Sequence, residues 1–165
     1  MALSDADLTR LARCVELARQ ALDSGDEPFG SILVDADGEV LFEDRNRVRE
    51  AAGLYGEDST RHPEFAIAHW AAANLAPVRR VRSTVYTSGE HCPMCSAAHA
   101  WVGLGRIVYA TSAMQLRQWL DEWGVPPSPV APLPITTVAP KLVADGPVAE
   151  FEAEMKALYE ARFHP

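Results

Sequence analysis

The chain has 165 residues, 48% of them hydrophobic, and a formal net charge of -8 at pH 7. That length closes one substantial core and leaves little material for a second, so residues 1–165 are read as a single domain. The acidic balance and dispersed Lys and Arg disfavour a protein that neutralises nucleic-acid phosphates, and fit a small, neutral ligand instead.

The N-terminal Met1-Ala2-Leu3-Ser4-Asp5 shows neither the basic start of a signal peptide nor a membrane span. Two of the three cysteines stand at metal-binding spacing and Cys14 lies apart, which suits a reducing compartment; a cytoplasmic location is expected. Ser4 is placed to cap a first helix, whose apolar residues Leu8, Leu11, Val15, Ala18 and Leu22 recur at helical spacing up to the Ser24-Gly25 break. Gly30 to Asp35, the Asp37-Gly38 turn and Glu39 to Phe42 predict a hairpin of two strands. The polar stretch from Asp44 to Arg61 has no clear period and reads as a loop, followed by an alanine-rich helix from Pro63 to Leu75.

From Ser83 the pattern alternates. A strand to Thr87, a helix over Pro93 to Leu104, a strand over Arg106 to Ala110 and a helix over Ala113 to Trp123 give a βαβα rhythm, which predicts parallel strands covered by helices. Residues 124–165 then supply a proline-rich arm, a last strand over Ile135 to Val138 and a helix over Val148 to Phe163. In the arm, Pro126, Pro127, Pro129, Pro132 and Pro134 impose an extended backbone.

Chemistry concentrates in two short motifs. His62-Pro63-Glu64 and Cys92-Pro93-Met94-Cys95 offer one imidazole, two thiols and one carboxylate. A residue before proline is pushed out of the α region, and proline favours the first helical position, so His62 and Cys92 each become caps of a following helix. Cys95 then falls at the third helical position on the side of Cys92, where backbone N–H groups and the positive end of the dipole favour thiolate. Glu64 sits in the first turn of its own helix. Three ligands, His62, Cys92 and Cys95, would leave a tetrahedral Zn²⁺ one open position for water, with Glu64 beside it to move a proton.

Other uses of the same residues stay open at this point. A lone Cys-x-x-Cys is also a redox pair or one corner of a structural zinc site, and His-x-Glu alone carries almost no information. The sharpest structural alternative is a closed site of His62, Cys92, Cys95 and His99, since His99 follows Cys95 by one helical turn. That arrangement leaves Glu64 without a task. Cys14 and His69 read as helix residues without chemistry.

These motifs resemble the zinc-dependent cytidine deaminase-like superfamily, in the branch of guanine, cytosine and tRNA adenosine deaminases, whose signature is His-x-Glu followed by Pro-Cys-x-x-Cys. The resemblance runs from about Leu8 to Tyr109 and includes Pro28-Phe29-Gly30, Asn46 and Thr87-Ser88-Gly89-Glu90. It weakens beyond Thr111. Two positions depart from it: His91 stands where proline commonly precedes the first cysteine, and Pro63 where alanine often stands. The resemblance implies a three-layer α/β/α sandwich with a five-stranded mixed sheet and an oligomer, read as a homodimer.

It also implies an activity: hydrolytic deamination of a free nucleobase or related amino-heterocycle, guanine first, cytosine or triazine-like rings next. A tRNA-editing adenosine deaminase and a non-catalytic zinc module are the competing readings. Glu64 would be the acid/base, with Glu90 a second proton-transfer candidate. Phe29 would stack on the ring, or simply fill the core; Asn46 would bond its polar edge, or cap a turn. His91 would be a solvated loop imidazole or a substrate contact. Trp119, Asp121 and Glu122 would hold the amino edge of guanine, or form a surface helix with tryptophans in the core or an interface.

Overall fold

The structure, a computed structural model, describes residues 3–164. In chain order its elements are α1 (Asp5–Asp23), β1 (Gly30–Val34), β2 (Val40–Arg45), α2 (Pro63–Asn74), α3 (Pro77–Arg80), β3 (Thr84–Gly89), α4 (Pro93–Val102), β4 (Arg106–Thr111), α5 (Ala113–Glu122), α6 (Ile135–Val138), β5 (Ala144–Asp145) and α7 (Ala149–Phe163). The five strands form one sheet in the order β2-β1-β3-β4-β5. β1 is antiparallel to both β2 and β3, whereas β3, β4 and β5 run parallel, so the sheet is mixed.

Strand alternation sorts the side chains onto two faces. Ile32, Val34, Tyr86 and Val108 pack with Leu11, Val15 and Ala18 of α1 and with Met155 and Tyr159 of α7. Leu33 and Val85 point the other way, against Ile67 and Ala71 of α2. Every residue of β1 is buried, because this strand is covered on both faces; the edge strand β2 has no fully buried residue. The result is the three-layer α/β/α sandwich, with α1, α5 and α7 on one side and α2 and α4 on the other. Cys14 is fully buried in the first core, where desolvation pushes its thiol up, in keeping with a purely packing role.

Two local features fix how the layers approach. The Ser4 hydroxyl accepts the Asp7 N–H while the Asp7 carboxylate accepts the Ser4 N–H, a reciprocal cap that starts α1. At Gly30 an added Cβ would lie 2.4 Å from Leu17 Cβ and 2.5 Å from the Cys14 carbonyl, so only glycine lets α1 lie this close to β1.

One element departs from expectation. Ile135–Val138, expected as the last strand from its β-branched residues, is a single helical turn, and the free edge of β4 pairs instead with Ala144–Asp145. Tertiary context overrides propensity here: the Glu90 carboxylate accepts the Ile135 N–H and the Ile135 side chain is buried, which anchors the segment away from the sheet. The second strand also runs on to Arg45, into the stretch expected as loop, and places Asn46 directly after it. The other expected elements lie within two residues of those observed, and α3 was not expected.

Candidate active site

The prolines of the two motifs act as the backbone rules require. His62 (φ −86°, ψ 141°) and Cys92 (φ −65°, ψ 167°) are extended N-cap residues, each followed by proline at the start of α2 or α4. Neither side chain caps its own helix, contrary to the usual role of that position, and both are therefore available to a ligand. Because α2 and α4 pack side by side, their N-termini come together. His62 Nδ1 lies 3.7 Å from Cys92 Sγ and 3.7 Å from Cys95 Sγ.

These three donors lie within 4.8 Å of one another. With Zn–S near 2.3 Å and Zn–N near 2.0–2.1 Å, a tetrahedral ion separates its nitrogen and sulfur ligands by about 3.6 Å, so the donor set fits zinc in both chemistry and span. The Cys92 thiol is held down at about 4 by its hydrogen bond with Cys95, which together with that from His62 outweighs burial. Cys92 thus offers a thiolate.

Glu64 follows His62 by two residues and is only 5% exposed. It is outside the donor group. Its Oε1 accepts hydrogen bonds from Ser31 Oγ and Thr87 Oγ1, both at 2.9 Å. Burial raises its pKa, opposed by the nearby charge of His62. The carboxylate and His62 both open onto a cavity of about 570 Å³, within the range of small-molecule sites. Phe29, Gly89, Cys92 and Tyr159 line it, together with Leu116 and Leu120 of α5 and the proline-rich arm from Pro127 to Leu133.

The remaining expected residues divide. Phe29 is on the wall, with its ring 5.5 Å from that of Tyr159. Glu90 also lines the cavity, yet its Oε2 accepts the Ala113 N–H and its Oε1 the Ile135 N–H, each at 2.9 Å. Asn46 is fully buried behind this wall, with its N–H donated to the Phe29 carbonyl and its Oδ1 accepting the Val48 N–H. Its Nδ2 has no partner among the described residues.

The others fall outside the cavity. His91, expected in solvent or against substrate, is 1% exposed and packs edge-on to His99 with ring centroids 5.4 Å apart. Trp119 is in the core beside Tyr159. Asp121 and Glu122 are exposed on the outside of α5, bonded to Arg117 and Gln118 one turn earlier, and neither is on the cavity lining. The helical period explains this: with Leu116 and Leu120 on the cavity, positions 119, 121 and 122 face elsewhere.

Ser31, Thr87, Tyr159 and the arm were not singled out from the sequence. The period of two would have placed Ser31 on the α2 side with Leu33. No local signal marks Tyr159, which reaches the site from α7.

Comparison with known proteins agrees with this geometry. Residues 4–111 match the model of the cytidine and deoxycytidylate deaminase zinc-binding region. The chain is 36% identical over 112 residues to a probable cytosine deaminase of Schizosaccharomyces pombe, covering 67% of this chain and 63% of that protein. It is 34% identical over 92 residues to a tRNA-specific adenosine deaminase of Agrobacterium fabrum, covering 56% and 57%. The match thus spans about three fifths of the length of these relatives. Among solved structures, a guanine deaminase from Nitrosomonas europaea shares the fold, with a TM-score of 0.68 at 19% identity over 100% of this chain and 88% of that one. With the matched region spanning both motifs and the donors meeting at zinc distances, the chain belongs to the cytidine and deoxycytidylate deaminase zinc-binding family, and its metal is zinc.

Proposed function

We propose that this protein hydrolytically deaminates a free nucleobase or related amino-heterocycle and releases ammonia. The observation that carries the reading is the pairing, in one cavity, of a three-donor zinc site with a buried carboxylate that is not one of the donors. His62, Cys92 and Cys95 would hold the metal, which when bound supplies a Lewis acid that brings the pKa of water toward neutrality. Glu64 takes a proton from the attacking water and gives it to the ring nitrogen beside the carbon that bears the amine. A C–O bond forms there; Glu64 then carries the second proton from the new hydroxyl to the amine, the C–N bond breaks as the C–O bond becomes a carbonyl, ammonia leaves, and Glu64 ends the cycle ionised as it began.

The cavity supports a small, uncharged substrate. Among the described residues, Arg117 is the one basic residue on its wall apart from His62, and Asp121 already pairs with it, which favours a substrate without a phosphate. Phe29 supplies an aromatic wall for a planar ring. Asn46 is not on the cavity lining: its Nδ2, without an acceptor among the described residues, lies behind Phe29, whose carbonyl accepts the Asn46 N–H. With Asp121 and Glu122 outside the cavity, the contacts expected to favour guanine over cytosine are missing, and both bases remain candidates beside triazine-like rings.

The test is ammonia release by the zinc-loaded protein across guanine, cytosine, adenine, their nucleosides, ammeline and tRNA. Turnover of one or more free bases or triazines is expected. Release from tRNA alone would replace this reading with the editing one, and no release from any of them would leave a zinc module without this activity.

A further inference from the structure

We propose that Ser31 and Thr87 are positioning residues that together hold one oxygen of the Glu64 carboxylate. This rests on the acid/base role given to Glu64 above. Ser31 in β1 and Thr87 in β3 are directly opposed partners across the antiparallel pair, and both project toward α2. Their hydroxyls lie 2.9 Å apart, and each is 2.9 Å from the same atom, Glu64 Oε1. Both residues are 0% exposed, so water does not compete for these contacts.

Proton counting gives the arrangement a direction. A carboxylate oxygen can only accept, so with Glu64 ionised each hydroxyl that bonds it points its proton at Oε1. Thr87 Oγ1 also lies 2.9 Å from the Gly89 carbonyl, which gives its single proton an alternative acceptor at the end of β3. Ser31 can then keep its proton on Oε1 while Thr87 turns between Gly89 and Glu64. With Oε1 accepting from the sheet, the mobile proton of the reaction is carried by Oε2. The clamp fixes which oxygen exchanges protons with water and ring nitrogen, and holds the side chain against rotation about its last bond. That matters because proton transfer requires heavy-atom separations of hydrogen-bond length in the reacting complex.

The other role for two buried hydroxyls beside a buried acid is to satisfy its hydrogen bonds for folding alone. The two roles separate in kinetics. Ser31→Ala and Thr87→Val are expected to lower kcat for ammonia release by roughly tenfold each, the size of one charge-assisted hydrogen bond, and by more in the double variant. KM should change by less than about threefold and zinc content should stay at the wild-type level, because neither Ser31 nor Thr87 is one of the metal donors or lines the cavity itself. Ser31→Thr and Thr87→Ser, which keep the hydroxyls, should recover most of the rate.

Unchanged kcat in the double variant, a rise confined to KM, or failure of the hydroxyl-keeping variants to rescue would overturn the proposal. A crystal structure of the zinc-loaded double variant reads the same point without turnover. A Glu64 carboxylate rotated or spread over two orientations supports the clamp, and one unmoved from its wild-type position overturns it. A wild-type protein that releases no ammonia from any amino-heterocycle would refute the activity, while this structural comparison would still decide the clamp.

Discussion

His99 Nε2 lies 2.9 Å from the backbone carbonyl of Gly105, and because a carbonyl only accepts, Nε2 carries the proton. Burial lowers the pKa of this imidazole to about 4, despite the backbone hydrogen bonds that oppose it, so the ring is neutral. It is thereby committed to the end of α4 rather than to the donor group of His62, Cys92 and Cys95. His99 is not in the donor group that the sequence left open to it; among the described residues that group holds three donors, His62, Cys92 and Cys95, two of which open onto the cavity.

Metal content tests that arrangement. His99→Gln should retain one equivalent of zinc by elemental analysis, at a stability loss of about 1 kcal/mol for the broken hydrogen bond. His62→Ala, Cys92→Ala and Cys95→Ala should each lose most of the metal.

Glu64→Gln separates acid/base chemistry from metal binding. The variant should keep zinc and the fold, since Ser31 and Thr87 can still bond the amide oxygen. Ammonia release should fall by about 10²- to 10⁴-fold, the usual contribution of a positioned proton carrier. Near-wild-type turnover would remove Glu64 from the mechanism.

Glu90 is expected to act through structure. Its carboxylate joins the start of α5 to the start of α6 and so ties down the C-terminal end of the proline-rich arm. Glu90→Ala should accelerate amide exchange at Ala113 and Ile135 and expose the 124–134 segment to proteolysis, with zinc retained. Glu90→Gln keeps an acceptor and should show a smaller effect; equal loss of kcat in both variants, with no change in exchange, would point to proton transfer instead.

Asp7 makes stability depend on pH at the acid end. Burial raises its pKa, but the Ser4 backbone N–H, the Tyr86 and Ser4 hydroxyls and the Arg106 charge together bring it down to about 2. A carboxyl with a folded pKa below its unfolded value contributes stability above the unfolded pKa and loses it as pH falls through the folded one. Wild type should therefore exceed Asp7→Asn in Tm at neutral pH, and the gap should close between about pH 4 and pH 2. A gap independent of pH would remove the ionised form of Asp7 from the account. Loss of the charged hydrogen bonds to Tyr86 and Arg106 should cost about 2–3 kcal/mol at pH 7.

Much of the molecule could be read from local chemistry. The Ser4 cap, the proline that follows each of His62 and Cys92, and the βαβα periodicity are properties of a few neighbouring residues, and backbone sterics act on them wherever the chain goes. Ile135–Val138 failed because its strand propensity is weak beside a carboxylate contributed by Glu90, 45 residues earlier. Asp121 and Glu122 failed because composition says which groups a helix carries but not which face it turns inward. His91 failed for the related reason that a position beside a loop motif does not report burial.

The sequence by itself determined the zinc donors, the spare carboxylate and the helix starts that carry them, since each depends on residue type and on spacing of three residues or fewer. Only the tertiary structure decided that α2 and α4 pack with their N-termini together, that His99 bonds Gly105, and that the α5 carboxylates lie outside. It also placed Ser31 and Thr87 on one oxygen of Glu64. These relations join residues far apart in the chain, and they are set by how whole helices and strands bury their apolar faces, a collective outcome that no short stretch of sequence encodes.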